Sequence, residues 1–124
     1  MLNVLMNQTE HIYLAIGATD FRKQVEGLVA VVNKSFQLDA FSPTCVFIFC
    51  NKKKNSIKVL RYDKNGFILA TKKLLEGMKF QWPKDTCDVK LISRQQVSWL
   101  LQGLEIEQKK ALKELDIHAG NTCF

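Results

Sequence analysis

The sequence predicts an α+β fold, an antiparallel β-meander sheet of about four to six strands with one amphipathic helix packed on a face and C-terminal helix or helices at its edge. Three observations lead there. Cys45 to Cys50 (CVFIFC) is apolar throughout and rich in β-branched and aromatic residues, which marks a strand covered on both faces and places it at the centre of the sheet. Ile57 to Tyr62 and Phe67 to Leu75 flank Asp63-Lys64-Asn65-Gly66. Asn-Gly between two such runs is a strong hairpin signal, because both residues tolerate positive φ. Finally, Phe21, Val25, Leu28, Val29, Val32 and Phe36 recur at three- and four-residue steps, the apolar stripe of a helix lying across a sheet.

Taken in order, Met1 to Glu10 is a weak leader, read as a short strand or a loose arm. His11 to Ile16 is a strand ended by Gly17, and Thr19 or Asp20 supplies an N-cap oxygen to the helix over Asp20 to Phe36. Asp39 to Thr44 is a turn in which Pro43 sets up entry into the central strand. The meander follows, with Asn51 to Ser56 as its first turn. Met78 to Trp82 alternates like a further strand, stopped by Pro83. Val89 to Ile92 is short and β-prone. Ser93 and Gln96 have the spacing of a capping box, opening a helix whose stripe is Val97, Leu100, Leu101 and Leu104, with Gly103 beginning its termination. Glu105 to Ile117 reads as a charged helical tail and His118 to Phe124 as disordered. The 124 residues suit a single domain with an ordered core over about 11–104.

Charge is unevenly placed. From Asn51 to Lys90 eleven Lys or Arg face four acidic residues, a balance of +7, against +6 for the whole chain. A basic band on one sheet with a near-neutral remainder is the footprint of a polyanion partner, most often nucleic acid. The competing reading is a solvated, lysine-protected sheet edge, and charge alone leaves both open. Cys45, Cys50, Cys87 and Cys123 show no C-x-x-C spacing. Cys45 and Cys50 lie an odd number of residues apart and point to opposite faces of their strand. With no signal-peptide pattern and no run of about 20 apolar residues, a soluble cytoplasmic protein with no membrane partner is expected.

Catalytic chemistry finds little support. His11 and His118 are far apart and outside any metal-ligand spacing, and no phosphate-cradling or nucleophile-elbow motif is present. Asp20 and Asp63 could form a nuclease pair only if their turns share one end of the sheet. The expectation is therefore no enzyme, no metal and no cofactor. Binding has more to stand on. Lys52, Lys53 and Lys54 at a hairpin tip can reach phosphates, with Lys58, Lys72, Lys73 and Lys23 adding positive charge. Arg61 and Arg22, the latter in the first turn of its helix, can make bidentate contacts. Tyr62 and Trp82 are the aromatic candidates for base stacking or partner contact, Trp82 foremost because a strand end is easier to expose.

Ile12 to Val32, Phe47 to Pro83 and Ser93 to Leu104, in that order and spacing, resemble the small TnpB-type accessory protein, the second-open-reading-frame product, of the insertion-sequence-sixty-six family of bacterial transposons. The residues that carry the resemblance are Thr19-Asp20-Phe21-Arg22-Lys23, Lys58-Val59-Leu60, Asp63 with Asn65-Gly66-Phe67, Lys73-Leu74-Leu75 with Gly77, and Phe80 with Trp82-Pro83. The chain departs from the family pattern at Cys50, where Arg is usual, at Arg61-Tyr62-Asp63, where Tyr-Trp-Asp is usual, and at Lys72-Lys73, where Lys-Arg is common. The resemblance implies a non-catalytic role in transposition alongside the transposase. Two modes follow. One is DNA binding at element ends or target with little sequence preference. The other is an adaptor docked on the transposase through Trp82, Trp99 and the basic sheet. An exposed strand edge leaves a homodimer open, with edge lysines working against it.

Overall fold

The computed structural model describes residues 5, 6 and 8–108, and these form an α+β fold around a five-stranded sheet. In chain order the elements are β1 (His11–Ala15), α1 (Val25–Ala30, continued by a π-helical turn over Val31–Ser35), β2 (Cys45–Cys50), β3 (Ser56–Asp63), β4 (Gly66–Lys73), β5 (Val89–Ile92) and α2 (Arg94–Leu101). The strand order is β4-β3-β2-β1-β5. β2 is the middle strand and all six of its residues are buried, as its unbroken apolar run requires.

β2, β3 and β4 make the expected antiparallel meander. β1 departs from expectation by pairing in parallel with β2, His11 opposite Cys45 and Leu14 opposite Ile48, while its other edge takes β5 antiparallel. The reason lies in the connection. A segment long enough to carry a helix returns the chain to its starting end, which parallel pairing needs and a tight turn cannot supply.

The alternation of β2 splits the core in two. Phe47 and Phe49 meet Leu28, Val32 and Leu60 on one face. Val46 and Ile48 meet Leu14, Val59, Trp82, Val97 and Leu100 on the other, where Leu5, Met6 and Ile106 complete the cover. Each large side chain so enclosed contributes roughly 1.5–3 kcal/mol. Cys45 and Cys50 fall on opposite faces, and burial pushes the Cys50 thiol up to about 11.

Several local features differ from the sequence reading. The first helix begins at Val25 rather than Asp20, with Gln24 at its N-cap and no side-chain cap. It ends where Gln37 takes a left-handed φ of 54° and the Leu38 N–H reaches back to the Val32 carbonyl at 3.0 Å. At the β3–β4 hairpin Asp63 pairs with Gly66, so Lys64 and Asn65 form the tip and Lys64 carries the positive φ of 53°. β4 stops at Lys73. Met78 to Trp82 belongs to no strand; its alternation arises because Phe80 and Trp82 press onto the second face while Lys79 and Gln81 stay in solvent. The Ser93–Gln96 capping box is present, and Gly103 at φ 83° follows the end of α2. Glu105 to Gln108 are not helical, and Ile106 is buried; the rest of the expected helical tail and the expected disordered end lie outside the described residues.

Candidate nucleic-acid interface

Because β1 and β2 run parallel, the segment leaving β1 and the turn leaving β2 emerge at the same end of the sheet. Antiparallel β3 begins there, and antiparallel β4 finishes there with Lys72 and Lys73. Three basic segments therefore meet at one end. Their union forms a cleft of about 600 Å³ between Arg22, Lys52, Lys53 and Lys73, with Asp20 and Asn55 in its wall.

The β2–β3 turn is braced from within. The Asn51 side-chain oxygen accepts from the backbone N–H groups of Asn55 and Ser56, each at 3.1 Å, and its amide donates to the Asn55 side chain at 2.7 Å. Lys54 closes the turn with a left-handed φ of 62°. Lys52 and Lys53, both exposed, are thus presented by a fixed backbone rather than a loose loop. Lys54 is half-buried and lines a second hollow of about 590 Å³ on the far side, together with Lys79, Trp82 and Glu107.

Lys58 has a different role from the one its charge suggests. It is only 6% exposed, and its Nζ donates to the carbonyls of Phe21 at 2.9 Å and Lys23 at 3.0 Å, 4.8 Å from the centre of the Phe21 ring. It anchors the Asp20–Gln24 turn to the sheet. Within that turn the Asp20 carboxylate accepts from the Arg22 backbone N–H at 3.0 Å and pairs with its guanidinium, the closest contact being 2.7 Å. This is an Asx-type turn, and it holds Arg22 off the helix on which it was expected. The Arg22 hydrogen bonds hold the Asp20 carboxyl down at about 2, and Asp20 in turn raises Arg22. Gly27 has no side chain to spare here: a Cβ would come within 2.9 Å of the Lys23 Cβ, so the close approach of Lys23 to α1 depends on glycine.

The remaining sequence-predicted residues separate. Arg61 is half-buried, its guanidinium donating to the carbonyls of Leu5 and Pro43, so it ties the N-terminal segment to the sheet. Lys72 lies opposite Ile57 and Lys73 opposite Ser56, which places Lys72 on the second face and Lys73 on the cleft side. Lys23 is exposed beside the cleft. Trp82, expected to be available for stacking, is instead 7% exposed with its indole N–H donating to the Ala15 carbonyl at 2.9 Å. Tyr62 sits at the opposite end, packed with Phe41 and Phe67 and donating to the Lys64 carbonyl. Asp63 is at that opposite end too, separated from Asp20 by the eight residues of β3 or about 23 Å, which removes the two-carboxylate nuclease arrangement. Among the described residues no three His, Cys, Asp or Glu side chains converge to hold a metal. Also among these residues, no helix is long and apolar enough to cross a membrane.

Sequence reasoning read Asn51 only as part of a turn and missed its bracing role, which needed the turn geometry. It also missed the convergence of Arg22 with Lys52, which depends on the parallel strand pair.

The fold and this end of the sheet define a small α+β protein that gathers basic side chains from distant parts of its chain around one open cleft. A family model described as IS66 Orf2 like protein matches residues 10–111, and the chain belongs to that family. It is accordingly a transposition-associated accessory protein. Two similar proteins from Sinorhizobium fredii (strain NBRC 101917 / NGR234) carry the names uncharacterized protein y4jC and uncharacterized protein y4hO. The first is 33% identical over 96 residues, 76% of this chain and 79% of its own length. The second is 31% identical over 98 residues, 79% of this chain and 84% of its own. No solved structure matches the chain.

Proposed function

We propose that this protein is a non-catalytic DNA-binding factor of transposition, which holds duplex DNA against the sheet end formed by Arg22, Lys52, Lys53 and Lys73. The observation that supports this reading is the convergence of three sequence-distant basic segments around one cleft, on a turn rigidified by Asn51. Fixed cations displace condensed counterions from phosphates without reading base edges, so the contacts position the duplex and give little sequence preference. Lys23 lies beside the cleft, and Lys54 and Lys72 carry the positive field onto the adjoining face. Lys58 and Arg61 serve the fold and reach DNA only through the segments they hold. The transposase of the same element is the second partner of this reading, meeting the protein on the shared DNA.

The test is the triple variant Lys52→Gln/Lys53→Gln/Lys73→Gln. All three side chains are exposed, so the fold is expected to persist. At about 0.9 log units of salt slope per phosphate contact, the variant loses about 2.7 from the slope and on the order of 10²–10³-fold in affinity at 0.1 M salt. Unchanged affinity and slope would remove this end of the sheet from DNA binding.

A further inference from the structure

β4 stands at one end of the strand order and pairs only with β3, so its outer edge faces no strand among the described residues. The ladder shows which backbone groups lie there. Leu74, the residue after β4, donates its N–H to the Asn55 carbonyl at 2.8 Å, and in an antiparallel pair alternate residues bond the same neighbour. Gly66, Ile68, Ala70 and Lys72 therefore bond towards β3, while Phe67, Leu69, Thr71 and Lys73 turn their N–H and carbonyl groups outward.

Edges that stay solitary are kept short, or are interrupted by proline, a bulge or a charge in mid-strand. The opposite edge, β5, is short, with four residues. β4 has eight, its register with β3 runs one to one from Gly66 to Lys73, and its lysines are confined to the last two positions. Phe67, Ile68, Leu69 and Ala70 are consecutive apolar residues of which none is buried, and exposed Phe41 packs on Phe67 with ring centres 5.1 Å apart. The chain leaving β4 does not follow this edge. It crosses to the second face, where the Phe80 N–H meets the Lys54 carbonyl at 2.7 Å and the Phe80 ring is buried.

We propose that β4 pairs antiparallel with the β4 of a second copy of this chain, across a two-fold axis at Leu69, and joins the two sheets into one. Charge selects the axis. Outward-bonding residues must oppose outward-bonding ones, so the axis passes through a residue rather than between two. With Leu69 opposite the partner's Leu69, Lys72 stands opposite the partner's Gly66, which has no side chain. Next in that row lies the partner's Asp63, the residue that the glycine pairs with in its own hairpin. Lys72 and the partner's Asp63 share a face with Cα atoms about 10 Å apart, a span that an extended lysine crosses. An axis at Ala70 would instead set Lys72 against the partner's Ile68 with the partner's Arg61 behind it, and an axis at Ile68 would set it against the partner's Lys64. Both bring like charges together. The Leu69 axis also holds Lys72 about 20 Å along the strand from the partner's Lys72, beyond the screening length of about 8–10 Å. About six backbone hydrogen bonds form, and the half-buried apolar runs cover each other.

This pairing is independent of the DNA-binding reading, and the experiment is sedimentation velocity of the full chain without DNA, over about 1–200 μM. Wild type is expected to pass from the 14.2 kDa of one chain to twice that mass across the range. Thr71→Pro removes an outward N–H and leaves the bonds to β3 in place, so it is expected to keep its circular dichroism and stay monomeric. Lys72→Asp is expected to weaken dimerisation about 10-fold through its two symmetry-related pairs, and Asp63→Lys/Lys72→Asp to restore it. Wild type that is still monomeric at about 200 μM would overturn the self-pairing and leave this edge to a strand of another protein. A dimer that survives Thr71→Pro would overturn β4 as the interface. Lys72→Asp dimerising as well as wild type, or a charge swap that restores nothing, would overturn the Leu69 axis whether or not the proline variant folds.

Discussion

Replacing Lys58 by methionine separates a structural lysine from a DNA-contacting one. Methionine keeps the unbranched stem and its packing but removes the ammonium. The loss comprises two charge-assisted hydrogen bonds, to Phe21 at 2.9 Å and Lys23 at 3.0 Å, and the contact with the Phe21 ring. Hydrogen bonds to a charged group are worth about 1.5–3 kcal/mol each and a cation–π contact about 0.5–2 kcal/mol. Against that gross sum stands the desolvation of an ammonium on a residue 6% exposed, several kcal/mol that the methionine no longer incurs. The carbonyls left behind belong to half-buried Phe21 and exposed Lys23, so the cost of leaving them unpaired falls short of that in a closed core. The net cost is about 2–3 kcal/mol, a fall of about 1–1.5 M in the urea midpoint for a slope near 2 kcal/mol per molar. Equilibrium urea unfolding followed by circular dichroism measures it. A variant as stable as the parent but impaired in DNA binding would refute the reasoning and make Lys58 a direct contact.

Asp20→Asn is expected to strengthen DNA binding and steepen its salt slope by about 0.9, because it removes a carboxylate from the cleft and releases Arg22; a titration showing weaker binding would mean that Asp20 acts chiefly to aim Arg22. Asp20 also sets an acid-side dependence. Its folded value of about 2 lies below the model-peptide value of 3.8, so the ion pair's contribution is complete above the latter and lost as pH falls towards 2, which a carboxyl NMR titration checks. Trp82→Phe removes the bond to the Ala15 carbonyl and is expected to cost about 1 kcal/mol, against about 3–5 kcal/mol for Trp82→Ala, as read by urea unfolding. Ser93→Ala abolishes the capping box at the start of α2 and is expected to cost about 1 kcal/mol in the same assay. At pH 8 iodoacetamide is expected to label exposed Cys87 and spare buried Cys50, whose thiol stays protonated at about 11; peptide mass spectrometry distinguishes the two sites.

The residues differ in how plainly their sequence announced their role. Cys45 to Cys50 was legible because a strand covered on both faces must be apolar at every position, and the capping box because both of its partners lie four residues apart at most. The parallel pairing of β1 with β2 was not legible, since periodicity reports which face a side chain takes and says nothing of a strand's direction. That one pairing decides the site: it brings Arg22 to Lys52 and sends Asp63 to the far end. Lys58 and Trp82 lie buried where exposure was expected, for a related reason. A lysine on a strand reads as surface charge until a carbonyl is seen to meet it, and an aromatic in alternating chain reads as strand whether or not it is paired. The lysines of the β2–β3 turn were legible as charge, but their rigidity came from Asn51, a residue whose sequence signal was only that of a turn former.

The most direct measurement is a salt titration of the purified protein's binding to duplex DNA, with element-end and unrelated sequences side by side. Lys52, Lys53 and Lys73, with Arg22 held by Asp20, are expected to give a log–log slope of about −2.7 with similar affinities for both sequences. A flat slope, or no binding at low salt, would contradict DNA binding by this end of the sheet and leave its lysines as a solvated edge, with docking on the transposase as the reading to pursue.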